Sequence, residues 1–246
     1  MKQAFPILRL IERVAAFAQG KGYGSATIKQ EVAAVVKQLK GVPSLAIDIG
    51  GNVGDYSRML RERFPELHIH IFEPAKSNLL KLNNIFANDK RIRIMPCGVA
   101  EFAGGGVLYA DKAGSGLGSL SNRKLDHFGI KFDHAEEVAL VRFSEYWENE
   151  LGSNEISIVK LDIKGHELSA LKGFGKALEK THVIQFEFGG CNLDTRTTFQ
   201  DFFYFFTDNG FELGRITPLG IEQISKYREI DEFYSTTNFI ARNTRF

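Results

Sequence analysis

The run from Ser44 to Ser57, SLAIDIGGNVGDYS, constrains the fold of this chain more than any other stretch. Leu45, Ala46, Ile47 and Ile49 make a short apolar segment suited to a strand buried on both faces. Gly50, Gly51 and Gly54 then crowd into five positions, where positive φ and a missing Cβ permit a tight turn against a ligand. Asn52 is one of the few other residues that tolerate a left-handed backbone. From Asp55 the period turns helical, with Tyr56, Met59, Leu60 and Phe64 spaced for one face. Strand, glycine turn and helix form the first half of a nucleotide-type binding unit.

The turn discriminates among ligands. Placing the first glycine of a dinucleotide fingerprint at Gly50 puts Asn52 and Asp55 where the second and third glycines belong. Asp55, at the helix start, repels a pyrophosphate seeking the positive helix end, which disfavours an NAD enzyme. No Gly-Lys-Ser/Thr follows, so a P-loop is excluded. S-adenosylmethionine carries no phosphate and a cationic sulfonium, so Asp48 and Asp55 suit it better. The next strand, His68 to Phe72, ends in Glu73-Pro74, with Glu73 25 positions after Asp48. A carboxylate there can accept both ribose hydroxyls, and Pro74 helps to end the strand.

Composition narrows the function class. The 246 residues make one good-sized domain, and 31 Lys plus Arg against 30 Asp plus Glu leave no general electrostatic case for nucleic acid. Two cysteines, Cys97 and Cys191, build no disulfide framework and suit a reducing compartment. Neither a signal-peptide pattern nor a bilayer-length apolar run is read, so the expectation is a cytoplasmic protein with no membrane partner.

Ahead of the first strand, Phe5 to Ala18 reads as an amphipathic helix. After a break at Gly20 to Gly24, a second helix is capped by Ser25 or Thr27 and stops near Gly41. Residues 1–43 are thus expected to form a helical cap over the sheet edge or the ligand mouth, with 44–246 as the main domain. A strand from Arg91 to Met95 leads to Pro96-Cys97-Gly98, where Cys97 could face an adenine edge; packing as a buried thiol is the plainer reading. Ala103 to Ser121 is rich in glycine and serine, and reads as a short strand Val107 to Tyr109 inside a loop able to close over a substrate. His127 and His134 read as surface residues. Strands ending at Asp162 and near Glu187 bring those carboxylates to the Gly50 and Glu73 edge if the sheet is parallel. Phe199, Phe202, Phe203 and Phe206 fall on one helical face suited to the core, and Phe211 to Ile216 with Phe233 to Ala241 close the chain as a hairpin.

Asp48-Ile49-Gly50-Gly51-Asn52-Val53-Gly54-Asp55-Tyr56-Ser57, Phe72-Glu73-Pro74 and the block from Lys160 to Glu167 through Leu171-Lys172-Gly173 closely resemble the FkbM-type methyltransferase family. Phe186-Glu187 and Ser119-Leu120 are weaker marks of the same resemblance, which runs from Pro43 to Phe188. It implies an α/β, Rossmann-like class I methyltransferase: a mostly parallel seven-stranded sheet, helices on both faces and a terminal antiparallel hairpin. It further implies S-adenosylmethionine and a sugar or secondary-metabolite hydroxyl as acceptor. The expected cofactor residues are Asp48, Gly50, Gly51, Asn52, Gly54, Tyr56, Glu73, Pro74, Cys97, Gly98 and Asp162. One departure stands out, since Lys164 occupies the position of a family glutamate.

Methyl transfer from a sulfonium is a displacement whose rate owes much to alignment. An alcohol acceptor also needs a general base or a divalent metal. His166 is the base candidate by intrinsic pKa, with Asp162 facing the acceptor. Asp162 and Glu187 could hold a hard cation through oxygen. Lys164 could act as a base if burial depresses its pKa, or pair with an acidic acceptor. Transfer to nitrogen, lipid or protein, a non-catalytic cofactor-binding module, and a homo-oligomer all stay open at this level.

Overall fold

The computed structural model describes residues 4–25 and 27–246, so residues 1–3 and 26 of the expected cap lie outside the described set. Among the described residues, eleven strands and eight α-helices follow one another from α1 (Ala4–Ala18) and α2 (Ile28–Val36) into β1 (Leu45–Ile49), α3 (Asp55–Arg63), β2 (His68–Phe72), α4 (Lys76–Ile85) and β3 (Ile92–Met95). Then come β4 (Gly98–Ala100), β5 (Gly104–Ala110), β6 (His134–Arg142), α5 (Phe143–Glu150), β7 (Ile156–Leu161), α6 (Glu167–Lys172) and β8 (Thr181–Phe188). The chain closes with α7 (Cys191–Thr195), α8 (Phe199–Asp208), β9 (Phe211–Thr217), β10 (Gly220–Ile224) and β11 (Thr237–Asn243).

The main sheet has the order β10-β9-β11-β8-β7-β1-β2-β3. Strands β8, β7, β1, β2 and β3 are parallel to one another, while β11 pairs antiparallel with β8 and β9, and β10 antiparallel with β9. This is the doubly wound arrangement with its antiparallel end, extended by β10 to eight strands. The parallel strands read as continuous apolar runs because helices cover both faces. One face packs Ile47, Ile49, Leu161 and Phe186 against α5, α6 and α8, and the other packs Ile69, Ile71 and Ile158 against α2 and α3.

The phenylalanine stripe of α8 is core. Phe186 of β8 stacks on Phe202 at 4.9 Å and on Phe206 at 5.0 Å between ring centroids. Thr198 starts the helix with a capping box: its Oγ accepts from the Asp201 backbone N–H at 3.2 Å, while its own N–H donates to Asp201 Oδ2 at 2.7 Å. Thr198→Ala should lower stability by about 1 kcal/mol in urea unfolding, with cofactor affinity unmoved.

Four expectations need correction. The glycine-rich segment contains more strand than Val107 to Tyr109: β5 takes in Gly104-Gly105-Gly106 and pairs antiparallel with β6, and β4 joins them in a second sheet. Thr27 does not cap α2 with its side chain, because its hydroxyl donates to Glu31 Oε1 at 2.7 Å. Of the two leading helices, α2 reaches the sheet through Val32 and Val35, whereas Ile7, Leu10, Ile11 and Val14 of α1 are each more than half exposed. In the turn between them Gly20, at φ +84°, passes so near β9 that a Cβ would lie 2.5 Å from the Ile216 carbonyl oxygen. His134 is half-buried rather than on the surface; His127 is exposed. Among the described residues, no helix is long and apolar enough to cross a membrane.

Candidate active site

The parallel strands bring Gly50, Glu73, Asp162 and Glu187 to one edge, as β1, β2, β7 and β8 end side by side. Sterics dictate the turn after β1. Gly50 has φ +84°, and a Cβ there would sit 2.2 Å from the Asp162 carbonyl oxygen. A Cβ on Gly51 would meet Ile71 Cγ2 at 2.2 Å. The N–H groups of both glycines donate to the Phe72 carbonyl, at 2.9 and 3.1 Å, which ties the turn to β2. Asn52 takes φ 48°, and Gly54 opens α3 at φ 84°.

That geometry aims backbone donors at Glu73. The Asn52 N–H donates to its Oε2 at 2.8 Å and the Ala75 N–H to its Oε1 at 2.9 Å. Asn78 Nδ2 donates to Asn52 Oδ1 at 3.0 Å and steadies the turn. Each carboxylate oxygen keeps a further lone pair for a hydroxyl. Burial pushes the Glu73 carboxyl up to about 7, although the two backbone donors pull the other way.

Two adjoining cavities open above this edge. The larger, of about 650 Å³, is lined by Glu31, Asp48, Tyr56, Lys160 and Glu187 among others, a size usual for small-molecule sites. The smaller, of about 70 Å³, is lined by Glu73, Pro74, Gly98, Leu108 and Leu120. Gly50, Asn52, Gly116, Asp162 and Lys164 line both, and so mark the passage between them. The glycine-serine loop lies across that passage, with Gly116 close enough to Asn52 that a Cβ would be 3.3 Å from Nδ2.

Charge in the larger cavity is concentrated on strand residues. Asp48 is 1% exposed; its Oδ2 accepts from Ser57 Oγ at 2.6 Å, while Oδ1 has no partner among the described residues. Burial raises its pKa, opposed by Lys160. Tyr56 donates its hydroxyl to Gln185 Oε1 at 2.8 Å, and Gln185 Nε2 donates to Glu31 Oε2 at 2.6 Å. Lys160 Nζ lies 3.1 Å from Asp162 Oδ2 and 5.1 Å from the centre of the Tyr56 ring. Lys164 Nζ donates to Asp162 Oδ1 at 2.5 Å and to Glu187 Oε1 at 3.0 Å. Burial alone would raise the Asp162 pKa, but the two ammonium groups hold it below the usual carboxylate range. Glu187 is pushed up to about 7 by burial and by Asp162.

These positions sort the sequence candidates. Asp48, Gly50, Gly51, Asn52, Tyr56, Glu73, Pro74, Gly98, Asp162, Lys164 and Glu187 line the cavities, and Gly54 shapes the turn beneath. Cys97 and His166 line neither cavity. Cys97 is a buried thiol pushed up to about 11 by burial. His166 Nε2 is engaged with Ser121 Oγ at 3.0 Å, and burial lowers its pKa. Lys164 does not become a base. Burial would lower its pKa, but Asp162 and Glu187 override this and hold the ammonium charged. Among the described residues, no group of three or more His, Cys, Asp or Glu side chains could hold a metal ion.

Sequence reasoning missed Glu31 and the buried Lys160. A glutamate beside Val32 and Val35 was the available signal for the first; Lys160 opens the block that runs to Glu167. It also missed Glu167, whose buried carboxylate accepts from the N–H of Ile163 at 2.8 Å and of Gly165 at 3.0 Å, fixing the loop that carries Lys164.

Comparison with known proteins agrees with this geometry. The sequence matches the Methyltransferase FkbM domain over residues 48–213. It is similar to "Methyltransferase 1" of Beauveria bassiana, 22% identical over 144 residues, covering 53% of this chain and 58% of that protein. It is also similar to the 2-O-methyltransferase NoeI of Sinorhizobium fredii, 22% identical over 197 residues, covering 76% of this chain and 80% of that one. The crystal structure of methyltransferase FkbM from Methylobacillus flagellatus shares the fold, with TM-score 0.50 at 15% identity, over 96% of this chain and 60% of that chain. The chain thus spans less than two thirds of the Beauveria protein and of the Methylobacillus structure.

Proposed function

The chain belongs to the FkbM methyltransferase domain family, and from that premise we propose that it transfers the methyl group of S-adenosylmethionine to a hydroxyl of a small molecule. Residues 44–246 form the methyltransferase domain in this reading and 1–43 its helical cap. The observation that carries it is the pairing of Glu73, with two oriented oxygens, and Asp48, with an unpartnered buried oxygen, on opposite sides of one glycine turn. The first suits a ribose diol and the second a cationic amino-acid end. A nucleotide's phosphates would meet carboxylates on both sides.

When bound, S-adenosylmethionine supplies an electrophilic methyl group. The chain's own work is alignment and proton handling at the passage between the cavities. Glu73 and the Gly50–Gly54 turn hold the donor; Asp162, kept ionised, orients the acceptor hydroxyl. Glu187, with a pKa of about 7, takes the hydroxyl proton as the oxygen forms its new bond to carbon and the carbon–sulfur pair stays on sulfur. The body of the acceptor rests on Leu117, Leu125, Phe128, Ile130 and Tyr234. A relative named as a 2-O-methyltransferase favours oxygen over nitrogen, and a cavity of about 650 Å³ favours a small molecule. Transfer of labelled methyl to a panel of hydroxylated sugars and secondary metabolites tests the reading. No product with any acceptor, with cofactor binding intact, would leave the non-catalytic alternative standing.

A pH dependence follows from Glu73. The free carboxyl titrates near 7, and only the ionised form accepts both hydroxyls, so affinity should weaken as pH falls from 7.5 to 6 and level off above. Glu73→Gln should be weaker at pH 7.5 and flatter across that window, as read by calorimetry with S-adenosylhomocysteine.

A further inference from the structure

We propose that the Lys164 ammonium is the resident cation of the acceptor site, filling the place between Asp162 and Glu187 that a divalent metal ion would otherwise take. This rests on the methyl-transfer reading above and adds to it how the acceptor hydroxyl is polarised.

The geometry is that of a bridge. Asp162 follows β7 and Glu187 lies near the end of β8, so parallel neighbouring strands drive two carboxylates together. Left alone, each would disfavour the charge of the other. Lys164 Nζ reaches Asp162 Oδ1 at 2.5 Å and Glu187 Oε1 at 3.0 Å, and Lys160 Nζ supports Asp162 from the far side at 3.1 Å. An ammonium offers three N–H donors, of which the carboxylates take two. Lys164 lines both cavities, and its third donor is left for an acceptor oxygen at the passage between them.

The chain holds the lysine there against its backbone preference. Lys164 has φ 53°, a left-handed conformation that a side-chain-bearing residue rarely adopts. Its neighbours leave no other course. Ser119 Oγ donates to the Lys164 carbonyl at 2.8 Å, and Glu167 accepts from the N–H groups on either side. A Cβ on Gly165 would lie 2.6 Å from the Cys191 carbonyl oxygen. A surface ion pair would not need such a frame.

In this arrangement the acceptor oxygen receives a hydrogen bond from Lys164 as its proton passes to Glu187, and charge developing on the oxygen is met without a metal. Lys164 is a cation of fixed valence on a tether, so the site is complete when chelators are present.

Manganese binding followed by electron paramagnetic resonance tests this, with S-adenosylhomocysteine calorimetry run on the same samples. Wild type is expected to leave MnCl2 free at about 1 mM. Lys164→Glu, which leaves carboxylates at 162, 164 and 187, should bind one Mn2+ at least about tenfold more tightly, and adding Glu187→Gln should abolish that gain. Lys164→Gln is the gentler variant: MnCl2 should raise its Tm by about 3 °C and leave the wild-type Tm in place. Stoichiometric Mn2+ binding by wild type that Asp162→Asn removes would overturn the proposal. So would an unchanged Mn2+ response in both Lys164 variants. Failure of S-adenosylhomocysteine to bind wild type would instead strike the methyl-transfer reading itself.

Discussion

Glu73→Ala is expected to lower affinity for S-adenosylhomocysteine by about a hundredfold or more, as measured by titration calorimetry. Two hydrogen bonds from a diol to a carboxylate contribute about 1.5–3 kcal/mol each, because one partner is charged. The variant also frees the Asn52 and Ala75 N–H groups, which now donate to Glu73 at 2.8 and 2.9 Å. Loss of their acceptor loosens the glycine turn, so the effect should exceed that of Glu73→Gln, which keeps an oxygen in place. Equal affinity for wild type and Glu73→Ala would remove the basis for placing a ribose there.

Gly50→Ala is expected to destabilise the fold by about 3–4 kcal/mol and to abolish measurable cofactor binding. A methyl group at φ +84° is strained in any surroundings, and this one would approach the Asp162 carbonyl oxygen to 2.2 Å. The obstacle is backbone, and Asp162 is tied to β1 by its own N–H, which donates to the Ile49 carbonyl at 3.0 Å. Relief therefore requires β1 and β7 to part at the edge where the site lies. For a domain of this size the Tm should fall by about 10 °C. Gly41→Ala is the control, because a Cβ there meets nothing within 4 Å, and its stability should stay within about 0.5 kcal/mol of wild type.

The parts of this structure legible in the sequence were those decided by near neighbours in the chain. A buried strand, a glycine turn and a helix start follow from local period and backbone freedom, and carboxylates at strand ends converge wherever strands run parallel. The first half of β5 escaped notice because Gly104 to Gly106 carry no side chains to display alternation. His166 has the intrinsic pKa of a base, yet it points to Ser121 instead of a cavity, and nothing in its own neighbourhood reports that direction. Lys164 was open to opposite readings for the same reason. Its charge state depends on burial, on Asp162 and on Glu187, 23 positions away, and only the packed sheet sets the Glu187 distance at 3.0 Å.

The division of the site into two connected cavities has a consequence for how such a chain can change its trade. The smaller chamber is walled by β1 and β2 of the main sheet, by β4 of the second sheet and by the glycine loop. The outer wall of the larger chamber comes from Leu125, Phe128 and Ile130 and from Tyr234 to Thr236, on segments between strands. Substitutions in those outer segments can alter what is admitted while the inner walls keep their shape. One half of such a site is therefore free to drift in what it admits, while the other keeps its shape.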